Sequence, residues 1–224
     1  MSAAIAATAL CALACIVLVA AEYRHARVMR MVAKPIASLA FIAVGYLASR
    51  DAAPGFDSFQ RHVLLGLVLG AVGDVALLGA SNRAFLAGLV AFLLGHLAYV
   101  IAFIHRVGPA DTLGLAGALA AAPAAVGIGA LAWLWPRLGS MRIPVIVYVA
   151  VIVAMVIGAI AVANSNALPA TSRELLVTGA VLFFASDLAV ARDKFVGKSF
   201  ANRAWGLPAY YAGQLLIAWS LATS

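Results

Sequence analysis

Asp74 and Asp187 each lie inside an apolar run, Gly66-Leu-Val-Leu-Gly-Ala-Val-Gly-Asp-Val-Ala-Leu-Leu78 and Gly179-Ala-Val-Leu-Phe-Phe-Ala-Ser-Asp187. Insertion scales put an Asp at the centre of a membrane helix at about +2.5 to +3.5 kcal/mol, so its default place is a protein interior or a cavity, with a partner. A packing or hydrogen-bonding Asp explains one such residue. A second in the same setting points to a pair. Desolvation and mutual repulsion oppose both carboxylates being ionised together, which suits one to hold a proton while the other stays charged. The spacing leaves open which is the acid, so the proton is assigned to the pair.

Few other side chains could join them. His96 and Tyr99 lie on a face with Gly88, Phe92 and Phe103; His96 fits a proton relay, a phosphate contact or a structural hydrogen bond. Tyr210 and Gln214 are four apart, with Tyr211 beside them, and fit either a site lining or polar contacts between helices. Lys34-Pro35 opens an apolar segment, where the lysine can snorkel, pair with a carboxylate or hold a lipid phosphate, and the proline suits a first helical turn. The acids have no His/Cys/carboxylate set of the kind a zinc site uses, so neither a metal nor another cofactor is expected.

The elements that must position these residues are read from composition. Of 224 residues, 66% are hydrophobic and 10% charged, and the mean hydropathy is +1.07. These values exclude a water-soluble domain and describe an all-α polytopic membrane protein, taken as one integral membrane domain over 1–224. Apolar segments long enough to span hydrocarbon fall at 2–21, 31–49, 62–80, 84–105, 112–135, 143–163, 173–191 and 204–222. The first has its positive charges after it and is read as a retained helix. Cys11 and Cys15 share a face of that helix and read as packing.

The net charge of +7 sits at the ends of apolar runs without a nucleic-acid motif, so no nucleic-acid partner is expected. Eleven of the 15 basic residues fall on one side of an eight-span layout: Arg24, Arg27, Arg30, Lys34, Arg83, Arg137, Arg142, Arg192, Lys194, Lys198 and Arg203. The positive-inside rule makes that side cytoplasmic and puts both termini outside. The third and seventh spans then run in the same direction, with Asp74 and Asp187 at similar depth, able to meet if the spans are neighbours.

An offset of 113 aligns Gly66 with Gly179, Gly73 with Ser186 and Asp74 with Asp187, which suggests a four-plus-four parallel repeat. Gly66, Gly70 and Asp74 form one stripe, so the acid ends a close helix contact. In the fifth segment Pro123 and Gly127 permit a kink, and it reads as packing and lipid contact. Tyr148 and Met155 read as core of the sixth. The basic connection 192–203, which holds Phe195 and Phe200, suits an anionic headgroup surface.

Together, Lys34-Pro35, Gly73-Asp74-x-x-Leu77, Phe92-x-x-Gly95-His96-x-x-Tyr99, Tyr148 with Met155, Phe183-x-x-Ser186-Asp187 and Tyr210-Tyr211-x-x-Gln214-x-Leu216 resemble the lysoplasmalogenase (YhhN-like) family of eight-helix membrane proteins, over almost the whole chain. The resemblance implies hydrolysis of the vinyl ether bond of a lysoplasmalogen, giving a fatty aldehyde and a glycerophospho-ethanolamine or -choline. It implies Asp74 and Asp187 as the catalytic pair, with Lys34, His96, Tyr99, Tyr210 and Gln214 at the substrate, and a lysophospholipid and membrane lipids as partners. A bacterial inner membrane is the expected location; the sequence leaves the oligomeric state open.

Two rivals share the paired acids. A proton-coupled transporter is expected to break the helices that carry its acids. An intramembrane aspartyl protease is expected to show Gly-x-Gly-Asp, but position 71 is Ala, and neither Asp follows a Tyr.

Overall fold

A chain this apolar has little to gain from hiding hydrophobic side chains from lipid, so its bundle is sorted in the opposite sense to a water-soluble one. In the computed structural model, which describes residues 1–52 and 55–223, Ile5, Leu13, Ile16, Leu39, Val72 and Ile128 face outward. Lys34, Ser38, Asp74, His96, Asn202 and Gln214 are buried. No strand occurs among the described residues.

The helices are α1 (Ser2–Tyr23), α2 (Arg27–Ala52), α3 (Ser58–Ala76), α4 (Asn82–Val107), α5 (Thr112–Ala116), α6 (Ala121–Leu134), α7 (Arg142–Asn164), α8 (Ala170–Phe195) and α9 (Phe200–Trp219). Seven spans pass on length and hydropathy among the described residues, counting α5 and α6 as one. The eighth rod, α9, is less apolar because it carries Asn202, Arg203, Tyr210, Tyr211 and Gln214; all but Arg203 are buried against its neighbours, so lipid does not set its composition.

The fifth span breaks earlier than the sequence suggests. Gly117 takes φ +54 and a 3₁₀ turn follows, whereas Pro123 and Gly127 sit inside a continuous α6. Pro123 is the third residue of α6, in the first turn, where no backbone donor is needed.

Helix ends are fixed by polar residues. Asp57 forms a capping box with Gln60 at the start of α3 and also accepts from Arg106 Nη1 (3.1 Å) at the end of α4. Ser81 and Ser199 cap α4 and α9. Two of the ends that differ from the apolar boundaries follow the acids. The third span stops at Ala76, two residues after Asp74, and the seventh continues to Phe195, eight residues past Asp187. Polar ties hold that extension: Asp193 accepts from Asn202 and Arg203, and Lys194 donates to Asn82.

Neighbour relations repeat between the halves. The pair α3–α4 is matched by α8–α9, α2–α3 by α7–α8, and the contact of α2 with α9 by that of α7 with α4. That is the pattern a four-plus-four parallel arrangement requires. The helices bearing the two acids, α3 and α8, are not packed on each other; the two Asp line one cleft.

The α8–α9 contact depends on Gly179. A Cβ there would lie 2.8 Å from Gly213 O and 3.1 Å from Ile217 N, both backbone atoms. Gly179→Ala is expected to destabilise the bundle by about 1–3 kcal/mol, as overpacking against an unyielding partner does. Gly129→Ala in α6, where a methyl meets nothing within 4 Å, is expected to be neutral or stabilising by up to about 1 kcal/mol. Thermal unfolding in detergent micelles compares the two; equal shifts would contradict the close contact.

Candidate active site

A cleft of about 290 Å³ enters the bundle from the end that carries most of the basic residues, and both acids line it. Its rim comprises the α3–α4 turn at 79–81, the overrun of α8 with Asp193 and Lys194, and Lys198 of the turn that follows, facing Asn202 and Arg203 of α9. Deeper, one side is apolar: Phe85 and Leu89 of α4, Leu134 of α6, Val149 and Ile152 of α7, and Phe184 of α8. Lys34, Asp74, Tyr148, Asp187 and Tyr210 give it polar groups. A small space with an apolar wall and a few converging polar groups is the form of a ligand site.

The two acids have the same positional neighbours but different chemistry. Asp74 belongs to an ion pair: Lys34 Nζ is 3.1 Å from Oδ1, and Ser38 Oγ donates to Oδ2 at 2.6 Å. Ser38 stands one turn after Lys34 on α2, so one helix face supplies both contacts. Tyr210 of α9 flanks the same carboxylate. Around Asp187, α7 takes the place of α2 and α4 that of α9. Tyr148 of α7 donates its hydroxyl to Asp187 Oδ2 at 2.7 Å, and His96 of α4 holds Nε2 3.7 Å from the same oxygen.

His96 has a determined orientation. Its Nδ1 lies 2.7 Å from the Phe92 carbonyl oxygen, an acceptor, so Nδ1 carries a hydrogen. The buried Nε2 has no hydrogen-bond partner and faces Asp187. With Nδ1 donating to Phe92, a neutral His96 turns the lone pair of Nε2 toward Asp187.

The acids also differ in access. The Asp74 side chain is 3% exposed and that of Asp187 is 16%. Asp187 is thus the carboxylate more open to a molecule in the cleft.

Of the other candidates, Lys34 and Tyr210 reach the wall, whereas His96, Tyr99 and Gln214 stand behind it. Tyr99 donates to Gln214 Oε1 at 2.8 Å, and Gln214 Nε2 donates to the Tyr210 oxygen at 3.3 Å, so the first two orient the third. The sequence passes over two residues. Tyr148, read as core packing, holds Asp187 and lines the cleft; Ser38, unremarked, could have been noticed by its spacing of four from Lys34. Cys11 and Cys15 are free and buried, and Cys11 Sγ donates to the Ala37 carbonyl at 3.3 Å.

Fold and cleft thus define an integral membrane protein whose spans enclose two carboxylates in separate polar settings. Comparison with known proteins is in keeping with this, since the YhhN family pattern matches residues 29–221. The chain belongs to the YhhN family. It is 37% identical over 169 residues to Lysoplasmalogenase TMEM86A of Bos taurus, covering 73% of this chain and 66% of that one. Identity to Lysoplasmalogenase of Mycobacterium tuberculosis is 32% over 177 residues, 76% of this chain and 64% of the relative. The match to Uncharacterized membrane protein YhhN of Escherichia coli is longer, 30% identical over 203 residues and 91% of that protein. The chain therefore spans about two thirds of the lysoplasmalogenases it matches. No solved structure matches it.

Proposed function

We propose that the protein is a membrane hydrolase that cleaves the vinyl ether bond of a lysoplasmalogen-type lipid, releasing a fatty aldehyde and a glycerophospho-headgroup. The observation that carries this reading is the pairing of an acid tied to a cation, Asp74 with Lys34, with an acid that shares space with an unpartnered imidazole, Asp187 with His96, in one apolar-walled cleft.

Vinyl ether cleavage needs a proton at the β-carbon, stabilisation of the resulting oxocarbenium ion, and water. The Asp187–His96 pair delivers the proton from Asp187. The ether oxygen, in conjugation with the cationic carbon, spreads the charge, and the carboxylate left behind stabilises it. Water then adds to that carbon and returns a proton to Asp187, and the hemiacetal collapses to aldehyde and alcohol. The overall change is one water added across the alkenyl–oxygen bond, with no electrons exchanged. Tyr148 positions Asp187 through its 2.7 Å hydrogen bond. Asp74, with Lys34 and Ser38, fixes the opposite wall and orients Tyr210 and water. Lys34 is accordingly a partner of Asp74 instead of a headgroup ligand.

A carrier fits less well: α3 and α8 run unbroken past their acids, and the span interrupted at Gly117 contributes Ala130 and Leu134 to the cleft. The excess of Lys and Arg at one end supports an orientation with that end in the cytoplasm and both termini outside, and the membrane proposed is a bacterial inner one. Purified protein in nanodiscs is expected to release aldehyde from an alkenyl lysophospholipid and not from the saturated alkyl ether of the same shape, which cannot form the cation by protonation. Release from neither, with folded protein, excludes the hydrolase reading.

A further inference from the structure

The rim of the cleft holds more positive charge than its own ion pairs neutralise. Arg203 is engaged twice, Nη1 at 2.9 Å from Glu22 Oε1 and Nη2 at 2.9 Å from Asp193 Oδ2. Lys34, deeper in, is engaged by Asp74. Lys194 and Lys198 also line the cleft, yet neither has an ion pair among the described residues. Lys194 donates to Asn82 Oδ1 at 3.0 Å and lies 4.3 Å from the centre of the Phe85 ring. Both partners hold the ammonium in place, and neither cancels its charge. Lys198 is exposed in the turn between α8 and α9.

Their distance from the acid fits one class of ligand. Lys194 lies seven residues beyond Asp187 on the same helix, about 10 Å along its axis. Asn82 and Phe85 of α4 fix the ammonium at that level of the cleft. In a glycerolipid, the glycerol carbons and one ester oxygen separate the ether oxygen from phosphorus by roughly 6 Å at ordinary bond lengths. An ammonium–phosphate contact adds about 3 Å. A phosphate at the rim would therefore leave the ether bond beside Asp187 and the hydrocarbon chain along Leu89, Val149, Ile152 and Phe184.

We infer that Lys194 and Lys198 form a subsite for the phosphate of a single-chain glycerophospholipid headgroup, which sets the depth at which the ether bond lies in the cleft. This rests on the lipid-hydrolase reading above. It goes beyond that reading in assigning headgroup recognition to the end of α8 and the turn that follows it. Lysines at a helix carboxyl end and at a membrane surface also have general electrostatic reasons to be there. The test therefore has to separate a contact with the substrate from attraction to the bilayer.

The full chain is compared with its Lys194→Gln/Lys198→Gln double variant in nanodiscs of phosphatidylcholine, which carry no net lipid charge. Two substrates are used, alkenyl glycerophosphoethanolamine and the phosphate-free alkenyl glycerol. The double variant is expected to raise KM for the first by about tenfold, with kcat and the second substrate changed by less than about twofold, the pattern of lost ground-state contact to the phosphate. Binding of the non-hydrolysable alkyl glycerophosphoethanolamine should weaken by the same factor. That readout needs no turnover: if the lipid binds and weakens as expected but no vinyl ether is cleaved, the hydrolase reading fails and the subsite stands. Equal effects on both substrates, or unchanged KM and binding, overturn the subsite. Inorganic phosphate competing as strongly as the lysolipid would assign the lysines to free phosphate and overturn the headgroup assignment.

Discussion

Asp187→Asn is expected to lower aldehyde release by about 10² to 10⁴-fold, the range that removal of a positioned general acid produces. The substitution keeps the shape of the side chain. With its oxygen in the place of Oδ2, the Asn side chain can still accept from the Tyr148 hydroxyl. Folding and membrane insertion should therefore survive, and binding of an alkyl lysolipid should change little. Tyr148→Phe retains the acid and removes only its positioning bond, and the expected loss is smaller, about tenfold. The check is aldehyde formation in single-turnover experiments, with the alkyl lysolipid affinity measured on the same preparation. Activity within about threefold of wild type in Asp187→Asn would remove Asp187 from the chemistry.

The sequence made the main lines of this arrangement legible for a physical reason. Charged residues are costly enough in hydrocarbon that Asp74 and Asp187 stand out from their surroundings, and apolar run lengths mark the spans. The same logic explains where the reading stopped. Hydropathy reports where lipid ends, not where a helix ends, so it missed the early stop of α3 after Asp74 and the continuation of α8 to Phe195. That continuation carries polar residues held by partners on α9 and α4, and it forms part of the rim of the cleft.

Tyr148 reads as core in the sequence because a tyrosine is mostly apolar area, and only the structure shows that its oxygen reaches Asp187. The division between the two acids was also not available from the chain. An offset of 113 makes them equivalent, and equivalent helices do approach each of them. What differs is the chemistry those helices deliver: an ammonium and a serine on one side, a phenol and an imidazole on the other. A symmetric backbone can thus hold two acids at related positions and give them unequal work.

That inequality has a second measurable consequence at Asp74. Lys34 and Asp74 are among the buried charged residues of the bundle, with side chains 11% and 3% exposed. Lys34→Met or Asp74→Asn leaves the remaining charge without its partner, and each is expected to destabilise the fold by about 3–5 kcal/mol. The double variant Lys34→Met/Asp74→Asn removes both charges and keeps an oxygen for the Ser38 hydroxyl. Its stability should return to within about 1–2 kcal/mol of wild type, because an apolar replacement of a buried pair is often close to neutral. A double-mutant cycle by denaturant unfolding in micelles gives the coupling directly; additive losses would mean that the two charges do not support each other. Aldehyde release separates structure from chemistry in the same proteins. If Asp74 acts in the reaction, the double variant regains stability while its turnover stays depressed by at least about 10²-fold, whereas recovery of both would confine the pair to holding α2 against α3.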